Sequence, residues 1–329
     1  MKRINFHPGN MLQNPLSAHP VGVNAGKGNL MDYVLRVPSY GWMDAHGGLI
    51  VPNARQVLHE FWSRLNIFKT KKNWLAFFNW MEVLLLIPCL FLFFFRYFSF
   101  PLLGIAFVYG MIVMGTHGTI WYHRYCTHSA YTFSNQFWRL VTRNLTINIV
   151  PEETYVISHH VHHAKSDQPG DPYNASAGFL YCFLADVNHQ AISENLTEEE
   201  YIRVVKMMAG SGIKPNTYRQ YRKWGSVVRP AWHLGGWILN WSFWGTVFYL
   251  AGGAALVFAL FGAAGFWAIG IRTFNYEGHG KGKVKHREGI DFNREDLSIN
   301  QLWPGYVAGE WHNNHHLFPS SARSGFLNY

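Results

Sequence analysis

The strongest constraint on this chain is a pair of unbroken apolar stretches, about Trp74 to Phe95 and about Phe100 to Tyr122. They are separated only by a short break from Arg96 to Ser99, ahead of Pro101. Each is long enough to cross a bilayer as a helix, which takes about 20 residues. In hydrocarbon the backbone must satisfy its own polar groups, so such stretches fold as helices. A second apolar region runs from about Leu234 to Phe274, with a Gly-rich turn at Ala251–Ala255. Aromatic residues flank both regions, as interfacial anchors do. The sequence therefore predicts an all-α integral membrane protein. Its four transmembrane helices form two hairpins, with spans at about 74–95, 100–122, 234–251 and 255–274.

Charge orients these spans. Lys69, Lys71 and Lys72 precede the first pair, and Arg222, Lys223 and Arg229 precede the second. Arg272, Lys281, Lys283, Lys285 and Arg287 follow it, whereas the two turns between arms carry only Arg96. The positive-inside rule then places both termini and the middle segment in the cytoplasm. The domain reading is an N-terminal cytosolic segment, 1–66, and a membrane domain, 67–329, whose cytosolic helical cap comprises 123–233 and 275–329. Ala54 to Leu65 reads as an amphipathic helix. Thr197 and Glu200 have capping-box spacing, so a helix is expected to start there and run through Met208.

Composition agrees. Charged residues make up 14% and aromatics 17% of the 329 residues, against about a quarter charged in an ordinary soluble domain. Mean hydropathy is nevertheless near zero, which fits apolar spans joined to a sizeable polar body. The net charge of +9 sits beside the spans and not in a polar run, so a membrane surface is the expected partner and nucleic acid is not. Cys89, Cys126 and Cys182 have neither metal-knuckle nor disulfide spacing, and reduced thiols are expected. Residues 1–9 lack the apolar core of a signal peptide.

The 18 histidines carry the chemistry, because of their grouping. His123 and His128 form an HxxxxH pair. His159, His162 and His163 form an HxxHH triplet, as do His312, His315 and His316, and His279 ends the stretch Asn275-Tyr-Glu-Gly-His279. On a helix, positions i, i+3 and i+4 share a face, so the imidazoles of one triplet are expected to point at one centre. All four groups follow the cytosolic ends of spans and can converge there.

Imidazole suits iron, copper and zinc, while thiolates oxidise at a site that activates oxygen. Carboxylates hydrogen-bonded to the ligands would offset part of the metal charge. The candidates are Glu152, Glu153, Asp167, Asp171 and Glu310. His117 and Cys126 are expected to pack, and His160 falls off the triplet face. His189, His233 and His286 have no partner pattern and are expected at the surface or an interface. His7-Pro-Gly-Asn10 is similar to the haem-binding motif of cytochrome b5, but lies too near the N-terminus to sit inside such a domain.

In these motifs the chain resembles the membrane fatty acid desaturase family, which includes the stearoyl-CoA desaturases. The family pattern is HxxxxH, HxxHH, HxxHH and a further histidine in NxxxH after the fourth span. The resemblance runs from about residue 74 to the end and takes in Asp171-Pro172 and Gly309-Glu310. It implies two non-haem irons, with O2 as co-substrate. The metal ligands it implies are His123, His128, His159, His162, His163, His279, His312, His315 and His316, with Asn275 reaching one iron through a water. It implies desaturation of a long-chain acyl substrate. It also implies a separate electron donor, of ferredoxin or cytochrome b5 type with its reductase.

In the acyl-CoA members an Arg-Asp pair precedes the second box and helps hold CoA. Here Ile157 and Ser158 stand there, which leaves acyl-CoA, acyl-carrier protein and acyl lipid open as carriers. The segment 275–280 is also similar to one in membrane alkane hydroxylases. The same motif would serve hydroxylation, oxidative decarboxylation to a 1-alkene or acetylene formation. A membrane metal transporter is the alternative of another class, but such proteins place their ligands near the bilayer midplane.

Overall fold

The computed structural model describes residues 28–279 and 312–321, apart from the side chains of His312 and Asn313. His7, His286, Glu310 and the basic residues at 281–287 lie outside the described residues. Among the described residues the fold is helical, with no strand and only three isolated bridges: Leu35 with Ile192, Met43 with Leu49 and Pro215 with Val228.

Helix α1 (Ala54–Leu65) starts at Asn53, whose side chain accepts from Gln56 N–H while the Gln56 side chain accepts from Asn53 N–H. Val57 and Phe61, one turn apart, bury against Leu184 and Val187, and Leu58 and Trp62 face outward. Helix α2 (Trp74–Leu92) and helix α3 (Phe100–Val113) follow. Ser99 caps α3 and Pro101 sits in its first turn, where a missing N–H costs nothing. In the cap, helix α4 (Glu152–Lys165) carries the second histidine group, and helix α5 (Glu198–Met207) opens on a reciprocal Thr197–Glu200 capping box. Helix α6 (Pro230–Gly270) is followed by the short α7 (Phe274–Gly278), and α8 (His312–Leu317) closes the described chain.

Among the described residues, three helical stretches are long and apolar enough to cross a membrane: Lys71–Tyr97, Phe100–Thr127 and Pro230–Gly278. The third is not straight. Gly252 and Gly253 break its helical dihedrals, with Gly253 at φ 65°, a conformation open to glycine because it has no Cβ. Trp241 and Phe261 would lie about 30 Å apart on a straight helix, yet their ring centroids are 5.5 Å apart. The chain therefore doubles back at these two glycines.

The returning arm packs against both α2 and α3: Gly262 faces Leu90, and Trp267 faces Gly110. Gly262 and Gly265 allow this approach. A Cβ on Gly262 would stand 2.9 Å from the Leu90 Cα, and one on Gly265 2.8 Å from the Leu86 Cβ. Close backbone approach at small residues is how helices pack where lipid removes the hydrophobic drive. The cap has its own core, in which Leu30, Val34, Trp121, Val156, Tyr201 and Tyr221 are buried together. The segment before α1 is thus built into the cap.

Glu153 on α4 lies in this interior, 2% exposed. Its Oε2 accepts from the Ser226 hydroxyl at 2.7 Å and from Val228 N–H at 2.9 Å. Burial nevertheless pushes its carboxyl up from 4.5 to about 7. A raised folded pKa means that its contribution to stability is complete below about 4.5 and lost as pH rises through about 7. Glu153→Gln should therefore melt above the parent near about pH 8 and lose that advantage near about pH 5. Thermal unfolding in detergent at both pH values checks this, and an equal shift at both would contradict it.

Candidate metal centre

The first histidine pair depends on an unusual helix. Beyond Val113, α3 widens into π winding over Met114–Thr127, in which hydrogen bonds close five residues back. His128 N–H donates to His123 O at 3.1 Å. In an α-helix residues five apart stand about 140° apart around the axis, whereas π winding brings them nearly into line. The rings of His123 and His128 accordingly lie 5.0 Å apart. The HxxxxH spacing thus belongs to a π turn at the end of an apolar helix.

Helix α4 supplies His159, His162 and His163, helix α8 supplies His315 and His316, and His279 ends α7. Eight of the nine predicted ligands come together, and the side chain of His312 lies outside the described residues. They form two groups. His123, His128, His159, His163 and His315 make one, and His162, His279 and His316 the other, with the ligand atoms of each group within 4.8 Å of one another. This corrects the expectation that one triplet serves one centre. His159 and His163 are four apart and face one group, while His162 turns to the other. His315 and His316 divide in the same way.

The nitrogen contacts show why such a cluster calls for a cation. His315 Nε2 lies 2.8 Å from His123 Nε2 and 3.0 Å from His163 Nε2, which lies 3.2 Å from His159 Nε2. A ring nitrogen has one in-plane position, filled by a proton or by a lone pair. One position cannot serve two partners, so hydrogen bonds among the rings cannot satisfy the set. A metal at about 2.1 Å from two nitrogens at right angles would hold them about 3.0 Å apart, close to the observed spacings. The buried Nε2 atoms of His128 and His162 have no hydrogen-bond partner. Burial, then the neighbouring imidazoles, hold His159 well below its usual range, so it stays neutral and able to ligate. The donor set fits iron, copper or zinc.

Two carboxylates orient the smaller group. Asp171 Oδ1 accepts from His162 Nδ1 at 2.9 Å, and Asp167 Oδ1 accepts from His279 Nδ1 at 3.1 Å. Each bond leaves Nε2 as the lone-pair nitrogen facing the group. Asp167 reaches its position with φ at 59°, which costs an L-residue about 1 kcal/mol. Asp171 Oδ2 accepts from Asp167 N–H and braces that turn. The other two described candidates are engaged elsewhere. Glu152 is paired bidentately with Arg143 at 2.7 and 2.9 Å, and Glu153 holds the cap.

The remaining histidines divide. His117 is buried with Nε2 3.3 Å from the Thr146 hydroxyl, and Cys126 is buried. His160 is half-buried and belongs to neither group. Against the expectation of a surface or interface position, His189 lies in the interior, whereas His233 is half-buried at the start of α6. His189 is fully buried, stacked on Tyr181 at 3.9 Å. His233 Nε2 lies 3.0 Å from Glu82 Oε1, an acid buried on the apolar helix α2. A pairing of this kind is what makes such an acid tolerable there. Asn275 is half-buried on α7, one turn before His279. Ile157 and Ser158 are both fully buried, and the Ser158 hydroxyl contacts the Thr154 and Tyr155 carbonyls and the Tyr173 hydroxyl.

A small, mainly apolar cavity of about 10 Å³, room for about one water, adjoins the larger group. Val113, Met114, Ile149 and Trp267 line it, with Tyr155, whose ring lies 5.2 Å from His159. One aromatic ring thus separates this pocket from the cluster.

A family model described as fatty acid desaturase matches residues 98–324. The chain is 26% identical over 262 residues to an sn-1 stearoyl-lipid 9-desaturase of Anabaena variabilis, a match that covers 75% of this chain and 84% of that one. It is 25% identical over 236 residues to an icosanoyl-CoA 5-desaturase of Limnanthes douglasii, covering 70% of this chain and 59% of that one. No solved structure matches.

Carboxylates behind ligating histidines contribute about 10–100-fold to metal affinity. Asp171→Asn should weaken metal retention by about tenfold or more, while Glu152→Gln should leave it unchanged. Dialysis against graded chelator, followed by metal analysis, checks both, and equal retention in the two variants would contradict the assignment.

Proposed function

This chain belongs to the fatty acid desaturase family and is an enzyme of fatty acid desaturation; on that premise we propose that its histidines hold two non-haem irons, used with O2 to place a double bond in a long-chain acyl group carried by a membrane lipid. The observation that carries this reading is the linked set of ring nitrogens that cannot satisfy one another, set beside an apolar pocket. One iron takes the group of five and the other takes His162, His279 and His316. His312 is the ninth ligand, and Asn275 reaches an iron through a water. When bound, the irons supply reduction of O2 and removal of two hydrogens from adjacent carbons.

The chain's own contribution is positional. Burial of the cluster keeps bulk water from the reacting carbons. Asp167 and Asp171 hold His279 and His162 in one tautomer.

The carrier follows from two positions. Ile157 and Ser158, which stand where acyl-CoA members have their Arg-Asp pair, face the interior with their polar groups satisfied. They offer CoA nothing. The Anabaena relative acts on a stearoyl lipid, and a lipid-borne chain needs no such pair.

The spans are read as four crossings in two hairpins, because 49 residues would extend about 73 Å as one helix against a hydrocarbon core of about 30 Å. Lys69, Lys71, Lys72, Arg222 and Lys223 place the cap in the cytoplasm. There a separate ferredoxin- or cytochrome b5-type protein delivers electrons.

Expression in a host without its own desaturase tests the function. New monounsaturated chains should appear in membrane lipids and be lost with His315→Ala. Alkenes, alcohols or alkynes in their place would overturn desaturation. Double bonds formed first in the acyl-CoA pool would overturn the lipid carrier.

A further inference from the structure

A path of oxidisable side chains leads away from the histidines. It starts at Asp171, whose carboxylate accepts from His162. The backbone carbonyl of Asp171 accepts from the Tyr181 hydroxyl at 3.1 Å. The Tyr181 ring stacks on His189 with centroids 3.9 Å apart, and His189 Nε2 meets the Tyr40 hydroxyl. Trp42 lies 5.4 Å from His189. Tyr181 and His189 are buried, whereas Tyr40 and Trp42 are half-exposed. The series therefore runs from a group beside a metal ligand to solvent. The desaturation chemistry uses none of Tyr40, Trp42, Tyr181 or His189.

We propose that Tyr40, with His189 as its proton acceptor, is a redox-active tyrosine that returns single electrons to the metal centre when O2 has oxidised it with no acyl chain in reach. This rests on the di-iron reading above. A phenol or an indole yields an electron only to a strong oxidant, so the path carries oxidising equivalents outward and not donor electrons inward. A phenol that loses an electron must also lose its proton, and so needs a base in hydrogen-bond contact.

His189 is that base. In the tautomer with a lone pair on Nε2 it accepts from the Tyr40 hydroxyl. The step balances. One electron passes from Tyr40 through His189, Tyr181 and Asp171 to the oxidised centre. The proton moves to His189, leaving a neutral phenoxyl radical and an imidazolium. A soluble one-electron reductant of the ascorbate or thiol class then reduces the radical at its exposed edge, directly or through Trp42, and the proton returns from His189. Two such transfers discharge the two oxidising equivalents of one unproductive encounter with O2. The imidazoles that hold the metal are spared.

The experiment uses the full-length protein loaded with iron, reduced without oxygen, then mixed with O2 in the absence of acyl substrate and frozen. Electron paramagnetic resonance should show a tyrosyl radical. It should be lost in Tyr40→Phe and weakened in His189→Gln, with iron content equal in all three. On repeated cycles, peptide mass spectrometry should find oxidised histidine accumulating several times faster in Tyr40→Phe than in the parent. An unchanged radical in Tyr40→Phe would overturn the proposal. So would the absence of any protein radical in a sample that holds iron and consumes O2. A sample that binds no iron would overturn the di-iron reading itself, and this proposal with it.

Discussion

The arrangement that the rest of this structure depends on is a set of buried imidazoles whose nitrogens face one another with too few protons and lone pairs to go round. His315 Nε2 has close contacts on two sides, as has His163 Nε2. Buried polar atoms without partners are costly, so the cluster is stable only with something at its centre. Each local irregularity serves it. The π winding of Met114–Thr127 turns His128 to the side of His123. The turn braced between Asp167 and Asp171 aims two carboxylates at ligand nitrogens. Strain and departures from regular helix gather where the chemistry is, and the surroundings hold them in place.

The apolar helices give that cluster its floor. Gly262 and Gly265 let the returning arm of α6 approach α2 at backbone contact. Trp267 on the same arm lines the pocket whose far wall is Tyr155. Packing inside the apolar layer thus also shapes the space beside His159. From the cap side, Leu30 and Val34 join the core that holds α4. Helix α4, with three of the histidines, is clamped between the N-terminal segment and the end of the π turn.

Much of this was legible in the sequence. The start of α2 follows from where its apolar run begins, and the bounds of α1 and the start of α3 follow from periodicity and capping residues, which act locally. So does the reversal at Gly252–Gly253, since only glycines tolerate that backbone. The convergence of the histidines was legible because HxxHH occurs twice beside one HxxxxH pair, but their division was not. A shared helix face does not say that His162 will turn to another centre than its neighbours, because the second centre is completed by residues more than 100 positions away, at His279 and His316. The choice of Asp167 and Asp171 from five acids depended on a turn with a left-handed residue, for which an Asp-Gln-Pro-Gly-Asp stretch is only a faint signal. His189 was misplaced because its hydrogen-bond partner, Tyr40, comes from a distant segment.

The most direct test of two histidine-held irons is a Mössbauer spectrum of the purified protein loaded with isotopically enriched iron, with total iron measured in the same sample. Two quadrupole doublets of equal area and two irons per chain are expected, because the two nitrogen sets differ in number and in their carboxylate support. A single doublet with one iron per chain, or no iron retained after the protein is washed, would contradict the account.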